Sequence, residues 1–178
     1  MRREAMTDEQ ARIRSYLTVQ AAKLAPREIV DKVQAAMGQL RAVAETVPAA
    51  RFHEPPAPGE WSANEVMAHV VEAGRHFGGA IVRLLDGLPP GAPRDAPARD
   101  TAPRPLDTWW TLLERDRGPL FARVLAADPA ARLDATVEHA FFGPLNWRET
   151  LLFMRLHDID HAGQLRKIAA ALLPGRPA

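Results

Sequence analysis

The chain contains no cysteine. That excludes a disulfide, a thiolate nucleophile and every zinc site built on cysteine. No apolar run approaches the ~18 residues that a membrane span requires, so no membrane partner is expected. The opening residues, MRREAMTDEQ, lack the apolar core of a signal peptide, and a cytoplasmic location is the expectation. A surplus of charge of one sign is missing too: 23 Lys and Arg stand against 22 Asp and Glu. Phosphate binding needs concentrated basic surface, so nucleic acid is not expected as a partner. No internal repeat and no second domain stand out.

What is present suits one domain with a real core: 178 residues, 47% of them hydrophobic. The apolar residues recur at helical spacing in five stretches. Residues 7–24 read as a short amphipathic helix with Thr7 and Gln10 as a capping box. Pro26 opens a second helix at a first-turn position, where its missing N–H costs nothing. Ile29, Val33, Met37, Leu40, Val43 and Val47 mark its seam, and Pro48 its end. Residues 62–85 form the next helix. Ser62 caps it with Glu65 in reply, and Trp61 is placed to staple Val66. Residues 106–127 follow, with Asp107 as the expected cap and a kink or break expected at Pro119. Residues 128–145 read as irregular, with a short extended piece near 133–137 and a turn at Phe141 to Pro144 that buries two rings. Asn146 and Glu149 then cap the last helix, residues 146–172.

The proline-rich stretch 87–105 cannot be helix. At ~3 Å per residue it can run the length of a neighbouring helix, which allows a crossover between parallel helices. The sequence thus divides into an N-terminal helical extension (1–25), a four-helix bundle (26–173) and a tail (174–178).

The last helix carries His157 and His161. Four residues on a helix give about 40° of rotation and roughly 6 Å of rise, so the two rings sit one above the other. Met154, Leu165 and Ile168 share their stripe, so the pair faces the core seam. Buried polar rings need hydrogen-bond partners or a metal, and His at i, i+4 is a common way to present two metal ligands. His69 falls on the seam of the 62–85 helix and is the candidate third ligand. Three imidazoles resemble an open catalytic site. Zinc or nickel is the first expectation for the divalent ion, iron or manganese the next. Gln164, back on the same face, is placed to orient a ligand ring. His76 lies about 10 Å along the helix from His69, too far to share an ion bound at ~2 Å, and reads as structural or pocket-lining. His53 and His139 read as inert loop residues. Asp158 and Asp160 read as solvated or paired with Arg155 or Arg166.

Two motifs carry a family resemblance. Gly59-Glu60-Trp61-Ser62 with Glu65 and His69 is similar to the second-helix signature of the DinB/YfiT-like superfamily. Phe142-Gly143-Pro144-Leu145-Asn146-Trp147, followed by His157, His161 and Gln164, resembles its last-helix signature. The likeness covers residues 26–172. It implies an all-α four-helix bundle with up-down-down-up topology, a divalent metal held by His69, His157 and His161, and a homodimer. It also implies a small-molecule substrate. Some members transfer low-molecular-weight thiols such as bacillithiol or mycothiol to electrophiles, and others are metal-dependent isomerases or hydrolases. Pro119 and the N-terminal helix depart from the pattern. The expectation is an enzyme that activates water or a low-molecular-weight thiol for attack on a small electrophile, as a thiol transferase or hydrolase. The alternative is a metal-binding or stress-response module without catalysis.

Overall fold

A computed structural model describes residues 6–92 and 102–173. Helix α1 spans Asp8–Lys23, α2 Pro26–Ala44, α3 Ala63–Leu85, α4 Leu106–Leu125 and α5 Trp147–Leu172. A 3₁₀ turn at Ala49–Arg51 follows α2. Strands β1, Thr136–His139, and β2, Gly143–Asn146, form an antiparallel hairpin ahead of α5, with Val137 opposite Leu145. The expected crossover falls partly, and the expected tail wholly, outside the described residues.

Capping chemistry sets the helix starts. Thr7 accepts from Gln10 N–H while Gln10 accepts from Thr7 N–H, the reciprocal pair that satisfies two otherwise orphaned donors. Ser62 with Glu65 does the same for α3, and Asn146 with Glu149 for α5. Helix α4 differs from expectation. Its cap position is Pro105, which has no side-chain acceptor, and Asp107 lies exposed in the first turn. There the carboxylate acts on the helix dipole without bonding an end group. The anchoring comes instead from Asn64 on α3, which is 1% exposed. Its Oδ1 accepts from Trp109 Nε1 at 2.9 Å and from the Arg104 N–H at 3.0 Å, and its Nδ2 donates to the Ala102 carbonyl at 3.0 Å. One buried amide therefore fixes the end of the long connection and the first turn of α4.

The directions of the four long helices follow from these side-chain pairings. Asn64 meets Trp109, Arg75 meets Asp116 and Asp86 meets Arg123, so α3 and α4 run parallel. His69 meets His161 while Phe77 meets Phe153, so α3 and α5 run antiparallel. Arg148 donates to the Leu24 carbonyl and Arg51 Nη1 to that of Leu172 at 2.7 Å, so α2 and α5 run parallel. The bundle is thus up-down-down-up, as the family resemblance implied. Gly78 lets α3 and α4 close on each other: a Cβ there would lie 3.1 Å from Leu120 Cδ2. Helix α1 lies against the start of α5, held by Arg14 and Thr18 on Glu149 at 2.7 and 2.9 Å and by Arg155 on the Tyr16 hydroxyl at 3.1 Å.

Helix α4 is not broken at Pro119: it is continuous from Leu106 to Leu125. Pro119 is exposed, and the buried Leu113, Leu120, Phe121 and Val124 hold the helix on the bundle on both sides of the missing N–H. The 141–144 turn buries one ring rather than two: Phe142 is inside, whereas Phe141 stands 65% exposed at the hairpin tip.

A buried ion pair crosses the bundle. Arg117 of α4 grips Asp158 of α5 with Nη1 at 2.5 Å and Nη2 at 2.8 Å, both side chains being essentially inaccessible. Asp158 is therefore neither solvated nor paired with Arg155 or Arg166, because its backward-facing position on α5 points it at α4. A bidentate fork supplies the geometry needed to offset desolvation, and removing one partner leaves a bare buried charge. Asp158→Ala should lose about 3–5 kcal/mol in urea denaturation, while the double change Asp158→Leu with Arg117→Met should recover most of that loss.

Candidate metal centre

The three sequence-predicted histidines converge. His69 leaves α3 two turns after its cap, and His157 and His161 leave α5 one turn apart. The antiparallel register brings His69 Nε2 to 3.1 Å from His157 Nε2, and His161 Nε2 to 3.2 Å from the same atom. One donor atom from each ring lies within 4.8 Å of the others. His161 is buried and the other two are half-buried, so the group sits at the edge of the core with access to solvent.

The donor set fits a metal. His161 Nδ1 lies 2.9 Å from Gln164 Oε1. With the amide oxygen accepting, that ring carries its proton on Nδ1 and presents an Nε2 lone pair to the group. A neutral His157 has one N–H at most, yet its Nε2 faces two other Nε2 atoms. One proton cannot serve both contacts well, whereas a cation accepts all three lone pairs. Two nitrogens each about 2.05 Å from one ion lie about 2.9 Å apart at a right angle and about 3.3 Å apart at a tetrahedral one. The spacings of 3.1 and 3.2 Å fall between those limits.

The surroundings orient the rings. Trp61, read from sequence as a staple for Val66, stands edge-on to His69 with ring centroids 5.2 Å apart. Phe153 borders His157 at 5.8 Å. Gln164 takes the orienting position expected of it. His76 contacts Phe77 at 4.9 Å and is outside the ligand group. His53 is exposed, and Glu65 is engaged in capping Ser62.

His139 corrects the reading of an inert loop residue. It lies in β1, only 8% exposed, stacked on Phe142 at 4.7 Å and edge-to-face with Phe153 at 4.4 Å. Its Nδ1 accepts the backbone N–H groups of Phe141 and Phe142 at 3.2 and 3.3 Å. The β alternation of residues 136–139 was the available signal, since it puts Val137 and His139 on the same inward face. Burial pushes the His139 pKa down to about 4.

The class defined by this fold and site is a four-helix bundle with a three-histidine group between two antiparallel helices. The model of the DinB superfamily matches residues 32–165, and the chain belongs to that superfamily. It is also similar to the crystal structure of TT2238, a four-helix bundle protein, with a TM-score of 0.62 and 24% identity over 80% of this chain and 99% of that one. That likeness concerns the fold. A search of curated proteins gave no match. No described helix is long and apolar enough to cross a membrane.

The lowered His139 pKa has a definite sign. Between about 4 and the ordinary 6.5 the unfolded chain binds the proton and the folded chain does not. The contribution is therefore complete above about pH 6.5 and is lost as the pH falls towards 4, by up to about 3 kcal/mol. Denaturation of metal-free protein at several pH values should show wild type losing more stability on acidification than His139→Phe. Equal slopes would contradict this account.

Proposed function

We propose that His69, His157 and His161 hold one divalent metal ion, zinc or nickel before iron or manganese, and that the protein is an enzyme. It activates water or a low-molecular-weight thiol for attack on a small electrophile, as a hydrolase or thiol transferase. The observation that carries this reading is the convergence of three Nε2 atoms with spacings of 3.1 and 3.2 Å. An ion in such a site supplies Lewis acidity, which lowers the pKa of a bound water or thiol.

The chain's own residues supply position and environment. Gln164 holds His161 in the tautomer that presents Nε2 to the ion. Trp61 and Phe153 flank His69 and His157 and limit the water around them. The sequence has no cysteine, so a sulfur nucleophile must come with the substrate. Three protein ligands leave a coordination position open, which favours a catalytic reading over a closed structural one.

Protein loaded with zinc or nickel and then desalted should retain close to one equivalent. His161→Ala should lose most of it and His76→Ala almost none; equal loss in both would overturn the ligand assignment. Chelation should leave the helical circular dichroism signal nearly intact, because the core consists of packed apolar seams such as Leu113, Leu120, Leu151 and Leu165. Turnover in a screen of thiols with electrophiles should fall far more than stability. Full activity in the chelated protein would remove the ion from the mechanism.

A further inference from the structure

Asp158 follows His157 directly on α5, about 100° round the helix. It therefore faces the core while His157 faces the half-buried edge. The Arg117 fork that holds Asp158, at 2.5 and 2.8 Å, acts one residue away from a candidate ligand. The same guanidinium meets the other histidine-bearing helix. A Cβ at Gly74 of α3 would lie 3.5 Å from Arg117 Nε and 3.6 Å from Nη2, so that edge of the group rests on bare helix backbone. Gly74 is five residues beyond His69, about 8 Å along the axis. One side chain from α4, only 1% exposed, thus touches both helices that carry the histidines. Its Nε has no hydrogen-bond partner among the described residues, so the two bonds to Asp158 carry the directional part of the contact.

We propose that Arg117 is a positioning residue for the histidine group. Its fork on Asp158 sets the rotation of α5, and its edge on Gly74 limits how closely α3 approaches, so together they set the affinity and coordination geometry of the ion. The inference rests on the metal reading and assigns a role at that site to a residue that touches none of the three rings. As a source of stability a buried ion pair is poor, because apolar residues of similar volume serve about as well. What apolar residues do not supply is direction. A two-pronged guanidinium–carboxylate contact fixes orientation as well as distance. The site is sensitive to that orientation. A turn of α5 by about 20° moves a ring about 6 Å from its axis by about 2 Å, the length of a whole metal–nitrogen bond. Metal sites tolerate errors of only about 0.2 Å in that bond.

The test reads metal binding rather than turnover. Cobalt(II) is titrated into metal-free protein, and its visible bands, which change in position and intensity with coordination geometry, are recorded beside the affinity. The double variant Arg117→Met with Asp158→Leu, expected to keep most of the wild-type stability, should bind cobalt about tenfold or more weakly and shift the bands. Arg117→Lys keeps the charge without the fork and should share both changes. Asp158→Asn, which preserves the shape of the side chain, should shift the bands in the same direction and carries the comparison if the double variant does not fold. Val124→Ala is the control for lost stability. It truncates a buried residue beside Arg123, whose partner Asp86 is about 25 Å along α3 from His69, and should leave affinity and bands as in wild type. Wild-type affinity and bands in the folded double variant, or in Asp158→Asn in its place, would overturn the positioning role and leave the metal reading standing. Wild-type behaviour of Arg117→Lys would overturn it too, because charge alone would then suffice. So would an equal shift in Val124→Ala, which would make the effect one of general stability. Wild-type protein that binds no cobalt would remove the metal reading and this inference together.

Discussion

The antiparallel packing of α3 on α5 is the constraint on which the site depends. Neither helix alone holds all three histidines of the candidate site. The i, i+4 pair on α5 becomes a three-nitrogen group only at the register that brings His69 alongside it. A slide of one helical turn, about 5.4 Å, would carry His69 past both partners. The caps at Ser62 and Asn146 fix where each helix begins, and Phe77 with Phe153 fixes the alignment further along. Asp158, adjacent to His157, ties α5 to α4 through Arg117, so the rotation of α5 about its axis is also determined. Placement of the three histidine rings is thus a property of the whole bundle.

Local signals carried most of the fold. The capping boxes at Thr7, Ser62 and Asn146 could be read directly, because each depends on residues three apart whose chemistry is self-contained. The seams were equally legible from periodicity, and so were His69, His157 and His161, which sit on those seams. What escaped the sequence depends on partners distant in the chain. Asp158 looked like a surface acid until Arg117, forty-one residues earlier, was found against it. Asn64 gave no hint that it would hold Trp109 and the Arg104 backbone. His139 reads as a loop residue from sequence because a four-residue strand gives too short an alternation to stand out. Pro119 does not interrupt its helix, because buried residues on both sides of it hold α4 on the bundle.

The polar groups inside this bundle divide into two kinds. Arg117 and Asp158 join through two hydrogen bonds, with the buried Arg117 Nε left outside them, and Asn64 holds three groups; each set pins one element to another. His69, His157 and His161 instead turn Nε2 atoms towards one another, at 3.1 and 3.2 Å.

The Asn64 clamp separates the length of the preceding connection from the geometry of the bundle. Because the amide grips the connection at Ala102 and Arg104 and the first turn of α4 at Trp109, the chain before that point has only to arrive there. In general, closure entropy grows only slowly with loop length, by about 0.6 kcal/mol per doubling. Added length ahead of the clamp would therefore cost the fold little and leave the register of α4 and of the histidines where Asn64 sets it.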